Sequence, residues 1–384
     1  MAQPTRPRNS NDFEIAIICA LQVECDAVEA LLDEEYETDG FSYGKAVGDH
    51  NAYTTGRIGN HYVVLAYMPG MGKANSAAVA SSIRTSFEGI KVGIVVGICG
   101  GAARTADGTE ILLGDVVIGE TVIQVDFGRR YPNKFIRKDV LEDNLGRANP
   151  EIRSFVKKLS SWGSHTRLKD RTAFYSAELC RKDGFHKSGY PGIETDTLYP
   201  ANYRHKHQVP HCCSVCDRCQ NQDDEVCESA LKSSCAELGC DERRLIRRNR
   251  VQKMKGLNPD GSAIMDIAEV QEARKPLIHF GRIASGDGVL KSGQHRDEIM
   301  AREKVIAFEM EGAGAWDYLP TVVIKSVCDY ADSHKNKMWQ GYAAVTAAAC
   351  TKAILEEWRG VKRPLKRSSS PGTATAPYFV TYFI

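Results

Sequence analysis

The sequence predicts an α/β fold, with a central sheet flanked by helices and a long irregular, cysteine-rich insertion. Short apolar runs of strand length alternate with stretches of helical periodicity in the first and last parts of the chain. Several of these apolar runs end in glycines or acids, which is typical of parallel strands that meet a ligand at their carboxyl ends. Between about residues 150 and 275 turn formers and charged residues dominate, and the alternation is lost.

The individual elements follow from the spacing of the apolar residues. The first run, FEIAIICAL at residues 13–21, predicts a strand buried on both faces. Apolar residues at helical spacing then predict a helix over residues 23–36. The rest of the pattern predicts strands over residues 61–69, 91–101, 114–128, 276–290 and 321–332, a helix over 70–87, a strand leading into a helix over 304–319, and an alanine-rich helix over 341–358.

This pattern also predicts the domain organisation. We expect a disordered arm over residues 1–12, one domain over 13–358, and a Ser/Pro-rich tail over 359–384. The domain contains an insertion at about residues 150–275. Without the insertion and the two ends about 240 residues remain, which is a normal size for one α/β domain.

The composition excludes several classes of partner. The chain has 384 residues, with 50 Lys plus Arg against 49 Asp plus Glu, so that its formal net charge is +1. A nucleic acid or an anionic membrane would favour a basic surface, so we expect neither as a partner. No apolar run reaches the roughly 18 residues that a membrane span requires, and the start MAQPTRPRNSNDF has no apolar segment of a secretory signal. We therefore expect a cytoplasmic protein.

Three carboxylates closely follow predicted strands. Glu24 comes after the first strand, Glu311 follows VIAF, and Asp329 follows VVIKSVC. Since ligands bind beyond the carboxyl ends of parallel strands, we expect these acids to converge and to suit acid–base chemistry on a neutral small molecule. Structural roles are the alternatives, with Glu24 as a partner of its helix dipole and Glu311 as a helix cap. Residue types and spacing alone predict only an α/β enzyme that acts on a small molecule.

Six ordered blocks of sequence resemble the nucleoside phosphorylase and nucleosidase superfamily, namely IICALQVECDAVEALL, YMPGMGKANSAA, VVGICGG, GRIASGDGVL, AFEMEGAGAW and SVCDYADSHKNKMWQGYAA. They are similar in particular to the purine nucleosidase-like domains of filamentous fungi, which often form the front end of NLR-type receptors and are related to methylthioadenosine/S-adenosylhomocysteine nucleosidases. The resemblance covers residues 13 to about 145 and 276 to about 358. It implies a single domain with a central mixed, twisted sheet, no cofactor, and a homodimer or higher homo-oligomer.

The resemblance also implies roles for individual residues. Glu24 corresponds to the acid that deprotonates the attacking water, and Asp329 to the acid that protonates or hydrogen-bonds purine N7. Met310 and Glu311 correspond to the pair beneath the ribose, where the carboxylate accepts hydrogen bonds from the 2′- and 3′-hydroxyls. The purine would contact Val289, Leu290, Cys328 and Asp329, and the glycine turn at the nucleophile site would comprise Ile98, Cys99 and Gly100, with Lys325 nearby.

The nucleophile implied by the resemblance is water. Phosphorylases of this superfamily hold phosphate with an arginine three residues before a Ser or Thr, whereas this chain has Val95 and Ile98 at those places. A phosphate dianion buried there without a charge partner would cost several kcal/mol. Hydrolysis also needs Asp329 to carry or share a proton, and we expect apolar neighbours such as Val323 and Val327 to favour its protonated form.

The sequence thus predicts a purine nucleosidase, an N-ribohydrolase that converts a small-molecule purine nucleoside such as adenosine, inosine or guanosine into free base and ribose. Three alternatives remain at this point. They are a methylthioadenosine/S-adenosylhomocysteine nucleosidase, a phosphate-dependent purine nucleoside phosphorylase, and a non-catalytic nucleoside-sensing module.

Seven of the 13 cysteines crowd into residues 212–240. The C-x2-C-x2-C spacing of Cys213, Cys216 and Cys219 suits a structural zinc ion, with Cys227, Cys235 or Cys240 to complete a tetrahedron. A reduced, partly disordered segment and a set of disulfides are the alternatives, the latter disfavoured without a secretory signal. We expect no metal in the catalytic site.

Overall fold

The computed structural model of the protein describes residues 6–37, 41–132, 134–221 and 224–359. Its strands are β1 (Ile15–Cys19), β2 (Glu34–Glu35), β3 (Ala52–Ile58), β4 (His61–Tyr67), β5 (Val92–Gly101), β6 (Val116–Gln124), β7 (Gly128–Tyr131), β8 (Lys134–Arg137), β9 (Ile278–Ser285), β10 (Val305–Glu309) and β11 (Thr321–Asp329). Its α-helices are α1 (Gln22–Glu29), α2 (Lys73–Ser86), α3 (Pro150–Leu159), α4 (Trp162–Cys180), α5 (Ser214–Arg218), α6 (Cys235–Leu238), α7 (Asn249–Met254), α8 (Ile267–Arg274), α9 (Gly293–Glu303), α10 (Gly312–Trp316) and α11 (Gln340–Glu357).

Nine of these strands form one mixed sheet in the order β10-β9-β6-β11-β5-β1-β4-β3-β2. Strand β5 pairs in parallel with both β1 and β11, whereas β6 is antiparallel to β11. A short antiparallel pairing of Ala307 and Phe308 with the end of β5 connects β10 back to β5, so that β5, β11, β6, β9 and β10 close into a ring. The predicted α/β fold with a mixed sheet and flanking helices is confirmed.

The fully apolar runs of the sequence occupy the centre of this sheet. Every residue of β1 and of β11 is buried, as expected for strands that are covered on both faces. Helix α11 packs against α4, α1 and β11, and its alanines leave little side chain between the helix axis and its neighbours. These contacts hold the carboxyl ends of β1, β5 and β11 in place.

Two predicted elements end differently in the structure. The helix predicted over 23–36 ends at Glu29, and Glu34–Glu35 instead pair with β3 at the sheet edge. The glycine turn predicted at Ile98, Cys99 and Gly100 is not a turn, because β5 continues to Gly101 and pairs with β11. The glycines serve close packing instead, since a Cβ atom on Gly101 would lie 2.5 Å from Cγ1 of Val327.

The expected insertion at 150–275 begins later than predicted. Helices α3 and α4 carry buried apolar residues and belong to the core, where α4 packs along α11. The remaining residues form short helices and loops that polar contacts attach to the core. Asp196, which is paired with Arg248 of the same segment at 2.8 Å, accepts a hydrogen bond from the N–H of Leu113 at 3.1 Å, and Arg250 donates to Asp115 at 2.5 Å. The segment is therefore irregular but anchored, and these described residues do not fit a disordered loop.

The two ends lie largely outside the described residues. Of the arm predicted at 1–12, residues 1–5 are outside them, whereas Ser10–Asp12 form a 3-10 helix that leads into the buried Phe13. Of the tail predicted at 359–384, only residue 359 is described. Among the described helices, none has the length and apolar character needed to cross a membrane.

Candidate active site

A cavity of about 480 Å³ opens at the ends of the central strands. This volume is within the range of about 300–1,000 Å³ that is usual for small-molecule sites. The three predicted acids Glu24, Glu311 and Asp329 all line it, although they come from the first turn of α1, the N-cap of α10 and the end of β11. The topology therefore brings together side chains that are up to about 300 positions apart in the sequence.

Glu24 is a buried carboxylate held by backbone N–H groups. Its Oε2 accepts hydrogen bonds from the N–H groups of Ala20 and Leu21 at 3.0 and 2.9 Å, and its Oε1 accepts from Ile98 at 2.8 Å. The side chain reaches back to the residue that precedes α1, as the acid of a capping box does. Burial raises the pKa of Glu24, and the charge of Lys325 opposes this effect only in part.

Lys325 is a buried cation beneath the cavity. Its side chain is 1% exposed, and its Nζ lies 2.8 Å from Oε2 of Glu311 and 3.8 Å from Oε2 of Glu309. Burial acts to lower the pKa of Lys325, but the carboxylates of Glu311, Glu24 and Glu309 outweigh it and raise the pKa. Lys325 does not itself line the cavity but supplies the positive charge that these three acids share.

Glu309 follows VIAF together with Glu311, but the sequence analysis gave it no role of its own. It lines the cavity and accepts hydrogen bonds from the N–H groups of Glu311 and Gly312, where α10 begins. Burial raises the pKa of Glu309, and the charge of Lys325 counteracts this in part. The sequence signal that could have identified Glu309 is its position directly after VIAF, but the resemblance assigned the role at the ribose to the neighbouring Glu311.

Glu311 has one firmly bonded and one weakly bonded oxygen. Oε2 accepts from Lys325, whereas Oε1 accepts only a long hydrogen bond of 3.4 Å from the N–H of Gly72. The alternative role as a side-chain cap of α10 is not seen, because Glu311 makes no such cap bond. Oε1 therefore remains able to accept hydrogen bonds from a ligand, and Met310 lines the cavity next to it.

Asp329 has a cationic partner that the sequence analysis missed. Nζ of Lys335 lies 2.8 Å from Oδ2 of Asp329, and the Cys328 thiol donates to the same oxygen at 3.1 Å. Oδ1 accepts from the N–H of Ala331 at 2.9 Å. The expectation that apolar neighbours such as Val323 and Val327 surround Asp329 is therefore incomplete, since the ion pair of Asp329 with Lys335 faces the cavity here.

A local backbone feature creates this pair. Ala331 has φ +52°, a left-handed conformation that is uncommon for a residue other than glycine. This turn directs the Ala331 N–H toward Asp329 and returns the chain so that Lys335 reaches the same carboxylate. No periodic pattern in the sequence reports such a turn, so nothing local predicted the contact.

The other predicted site residues also lie at the cavity. Ile98, Cys99 and Gly100 line it from β5, Cys328 lines it from the neighbouring strand β11, and Val289 and Leu290 line it from the segment after β9. Val289 is half exposed, whereas Cys328 is buried and burial raises the pKa of its thiol. The wall also includes Arg130 and Phe135 of the β7–β8 hairpin, which the sequence analysis did not identify.

The predicted zinc ligands lie outside this cavity and are only partly brought together. Cys213 and Cys216 converge with His207 and Cys227, but Cys219 does not join them. The Cys219 thiol instead donates to the carbonyl of Glu225 at 2.6 Å. All 13 cysteines are free thiols, so the alternative of a disulfide framework is not supported.

Comparison with known proteins finds a match to a family model over part of the chain. Residues 14–179 match the sequence model of the phosphorylase superfamily. A nucleotide-binding leucine-rich repeat (NLR)-like protein of Hyaloscypha variabilis is 27% identical over 350 residues, which cover 90% of this chain. The chain spans 29% of the length of that relative.

Solved structures of similar architecture include two proteins of Helicobacter pylori. One is a futalosine hydrolase, with a TM-score of 0.49 and 14% identity, over 90% of this chain and 99% of the other. The second is a mutant of a nucleosidase named MTAN, solved with 5′-methylthioadenosine in its active site, with a TM-score of 0.49 and 15% identity over the same shares.

Proposed function

We propose that the chain hydrolyses the N-glycosidic bond of purine ribonucleosides, releasing free base and ribose, and the match of residues 14–179 to the phosphorylase superfamily supports this proposal. The observation that carries this proposal is the Glu24 carboxylate, which is buried in the cavity and bonded by three N–H groups. Its raised pKa suits a group that takes a proton from water.

The hydrogen bonds of Glu24 also argue for water against phosphate. An inorganic anion at β5 would need free N–H donors or a free cation. The Ile98 N–H already donates to Glu24, and the nearby Lys325 is already paired with Glu311. A phosphate dianion would therefore face a carboxylate without a partner of its own, which costs several kcal/mol.

The remaining groups fit the charges that develop as the bond breaks. Cleavage of C1′–N9 places positive charge on the ribose and negative charge on the purine, as in glycoside hydrolysis generally. Glu24 and Glu311 lie where carboxylates would stabilise the ribose cation, and Oε1 of Glu311 is available to its hydroxyls. On the base side, Asp329 would pass a proton to N7 as the bond breaks, and the Lys335 ammonium would stabilise the Asp329 carboxylate that remains.

The test is a product analysis with and without phosphate. Adenosine, inosine, guanosine and 5′-methylthioadenosine are each incubated with the full chain, and free base, ribose and ribose 1-phosphate are quantified. We expect free base and unphosphorylated sugar at the same rate in both conditions. Base release that requires phosphate and gives ribose 1-phosphate would refute hydrolysis. Base release from 5′-methylthioadenosine but from none of the other three nucleosides would instead indicate a methylthioadenosine nucleosidase.

A nucleoside-sensing module is the second candidate. The observation that favours it is the NLR-like relative, which matches 90% of this chain although the match spans 29% of the relative. A sensor would bind a nucleoside in the same cavity without releasing base. Binding in calorimetry combined with no product after prolonged incubation would favour the sensor over the hydrolase.

A further inference from the structure

Two groups of cysteine and histidine side chains lie in the cysteine-rich segment, which we define as residues 203–240. In the first group the thiols of Cys213 and Cys227 are 3.7 Å apart. Nδ1 of His207 lies 3.3 Å from Sγ of Cys216 and 3.9 Å from Sγ of Cys227. The four ligand atoms are all within 4.8 Å of one another.

The second group is built around His205. Its Nδ1 lies 3.6 Å from Sγ of Cys235 and 3.8 Å from Sγ of Cys240. His334, which comes from the loop after β11, has a ring nitrogen within 4.8 Å of the ligand atoms of His205 and Cys240, whereas Cys235 approaches this triad only from the side of His205 and lies outside the 4.8 Å group. The two groups thus use His205 and His207, which are two positions apart in the chain.

We propose that the cysteine-rich segment binds two zinc ions, one through His207, Cys213, Cys216 and Cys227 and the other through His205, Cys235, Cys240 and His334. A tetrahedral zinc ion has Zn–S bonds of about 2.3 Å and Zn–N bonds of about 2.0–2.1 Å, which separate two sulfurs by about 3.8 Å and a sulfur from a nitrogen by about 3.5 Å. The measured separations of 3.3 to 3.9 Å match these edges.

The hydrogen bonds of His205 leave the required nitrogen free for a metal. Nε2 of His205 lies 2.8 Å from the carbonyl oxygen of Ser233, which can only accept, so Nε2 carries the proton. Nδ1 is then the unprotonated nitrogen, and it faces the two thiols. Metal-binding histidines commonly donate their other N–H to a carbonyl in this way, which fixes the tautomer and the ring orientation.

The state of His334 is an independent observation that points to a ligand. Its side chain is 4% exposed, and Nδ1 lies 3.8 Å from Oδ1 of Asp332, yet neither of its ring nitrogens has a hydrogen-bond partner. The ring stacks on Tyr199 with centroids 4.2 Å apart, so it is held in place. A buried polar atom without a partner destabilises the fold, and coordination to zinc removes this cost.

The second ion would also connect the cysteine-rich segment to the cavity. His334 is adjacent to Lys335, whose ammonium lies 2.8 Å from Asp329. A zinc ion that binds both His334 and His205 therefore restricts the loop that carries Lys335. In this arrangement the zinc ions are structural, and His334 is a positioning residue for the charged pair.

Metal content is the direct test. The full chain is produced in zinc-containing medium, purified without chelator and measured by mass spectrometry of the metal against protein concentration. We expect two zinc ions per chain. X-ray absorption at the zinc edge should show five sulfur and three nitrogen ligands shared between two tetrahedral ions.

Paired substitutions assign the two sites. Cys213→Ser with Cys216→Ser and Cys235→Ser with Cys240→Ser should each lose one of the two ions. The matched control is Cys212→Ser, which changes an exposed cysteine of the same segment that belongs to neither group. This control should keep both ions.

Several outcomes would overturn the proposal. A folded chain that holds no zinc and takes up none when zinc is added contradicts both sites. If the unmodified chain holds a single ion, the site whose paired substitutions leave that ion in place is refuted. If a pair of substitutions unfolds the chain, the unmodified protein is instead loaded with Co²⁺ and its absorption spectrum is recorded. The spectrum of octahedral Co²⁺ without thiolate-to-cobalt charge-transfer bands would refute the assignment. The spectrum of tetrahedral Co²⁺ with those bands would support it.

Discussion

The carboxylate of Glu24 occupies the space that a side chain on Gly97 would need. A Cβ atom on Gly97 would lie 2.1 Å from Oε1 of Glu24, closer than any two such atoms can approach. Gly97 pairs with Lys325 across β5 and β11, so one sheet position combines the acid, the missing side chain and the buried cation. Removing or displacing any one of the three should therefore affect the candidate site in a distinct way.

Replacement of Gly97 by alanine should displace Glu24 without changing its chemistry. Because the carboxylate must move by about 1 Å, we expect kcat to fall about a hundredfold. Gly146→Ala is the control, since a Cβ atom there meets nothing within 4 Å. Steady-state kinetics measures kcat for both variants. A Gly97→Ala variant with full kcat would show that Glu24 takes no part in the reaction.

Glu24→Gln keeps the shape of the side chain but removes the base, so we expect kcat to fall at least a hundredfold. The pH profile gives a second readout. Burial raises the pKa of Glu24, and only the ionised form accepts a proton. Activity of the unmodified chain should therefore decline as the pH falls through a value above the usual pKa of about 4.3 for Glu. A profile that stays flat to pH 4 would contradict this role.

Asp329 and Lys335 should act as one unit. Asp329→Asn should lower kcat at least a hundredfold and Lys335→Met about tenfold. Because the two groups form one ion pair, the double variant should be no worse than Asp329→Asn alone. Lys337→Met, at an exposed position of the same loop, is the control. Losses that simply multiply would mean that Lys335 does not act through Asp329.

Lys325→Met should act on stability. The substitution leaves buried carboxylates without their counter-charge, which costs about 3–5 kcal/mol of unfolding free energy. Lys253→Met removes a cation from a half-exposed pair and should change this free energy by no more than about 0.5 kcal/mol. Urea unfolding measures both. A loss below about 1 kcal/mol for Lys325→Met would show that the acids do not depend on it.

Asp115 should make stability depend on pH in the acid range. Burial alone would raise its pKa, but the charges of Arg250 and His279 outweigh burial and lower the pKa of Asp115 to about 2. The unfolded value is about 3.9, so the folded chain favours the ionised form, and this contribution is present above pH 4. About 2 kcal/mol of unfolding free energy should be lost as the pH falls from about 4 toward 2.

Asp115→Asn tests this by removing the titrating group. Its unfolding free energy should be lower at pH 7 and should depend less on pH below pH 4 than that of the unmodified chain. Asp183→Asn, at a fully exposed position, should leave the pH dependence unchanged. An identical acid slope in the unmodified chain and Asp115→Asn would contradict the assigned cause.

Local pattern was enough to predict seven of the described strands and three acids that line the cavity, but it did not predict β2, β3, β7 or β8. Strands such as β1 and β11 are buried on both faces, so their apolar runs are continuous and easy to recognise. Glu24 and Asp329 could be predicted as neighbours because Glu24 follows β1 closely and Asp329 ends β11. The C-x2-C spacing likewise predicted Cys213 and Cys216 as partners, since they share one turn of α5.

The sequence by itself therefore determined the α/β architecture and the positions of the acids, since both are set by residues a few places apart. The tertiary structure decided which charged side chains form ion pairs and which cysteine and histidine side chains come together. Lys335 reaches Asp329 only because Ala331 adopts a left-handed turn, and His334 meets His205 across 129 positions of the chain. Such contacts depend on how distant segments pack together, and the free energy of that packing has no counterpart in local periodicity.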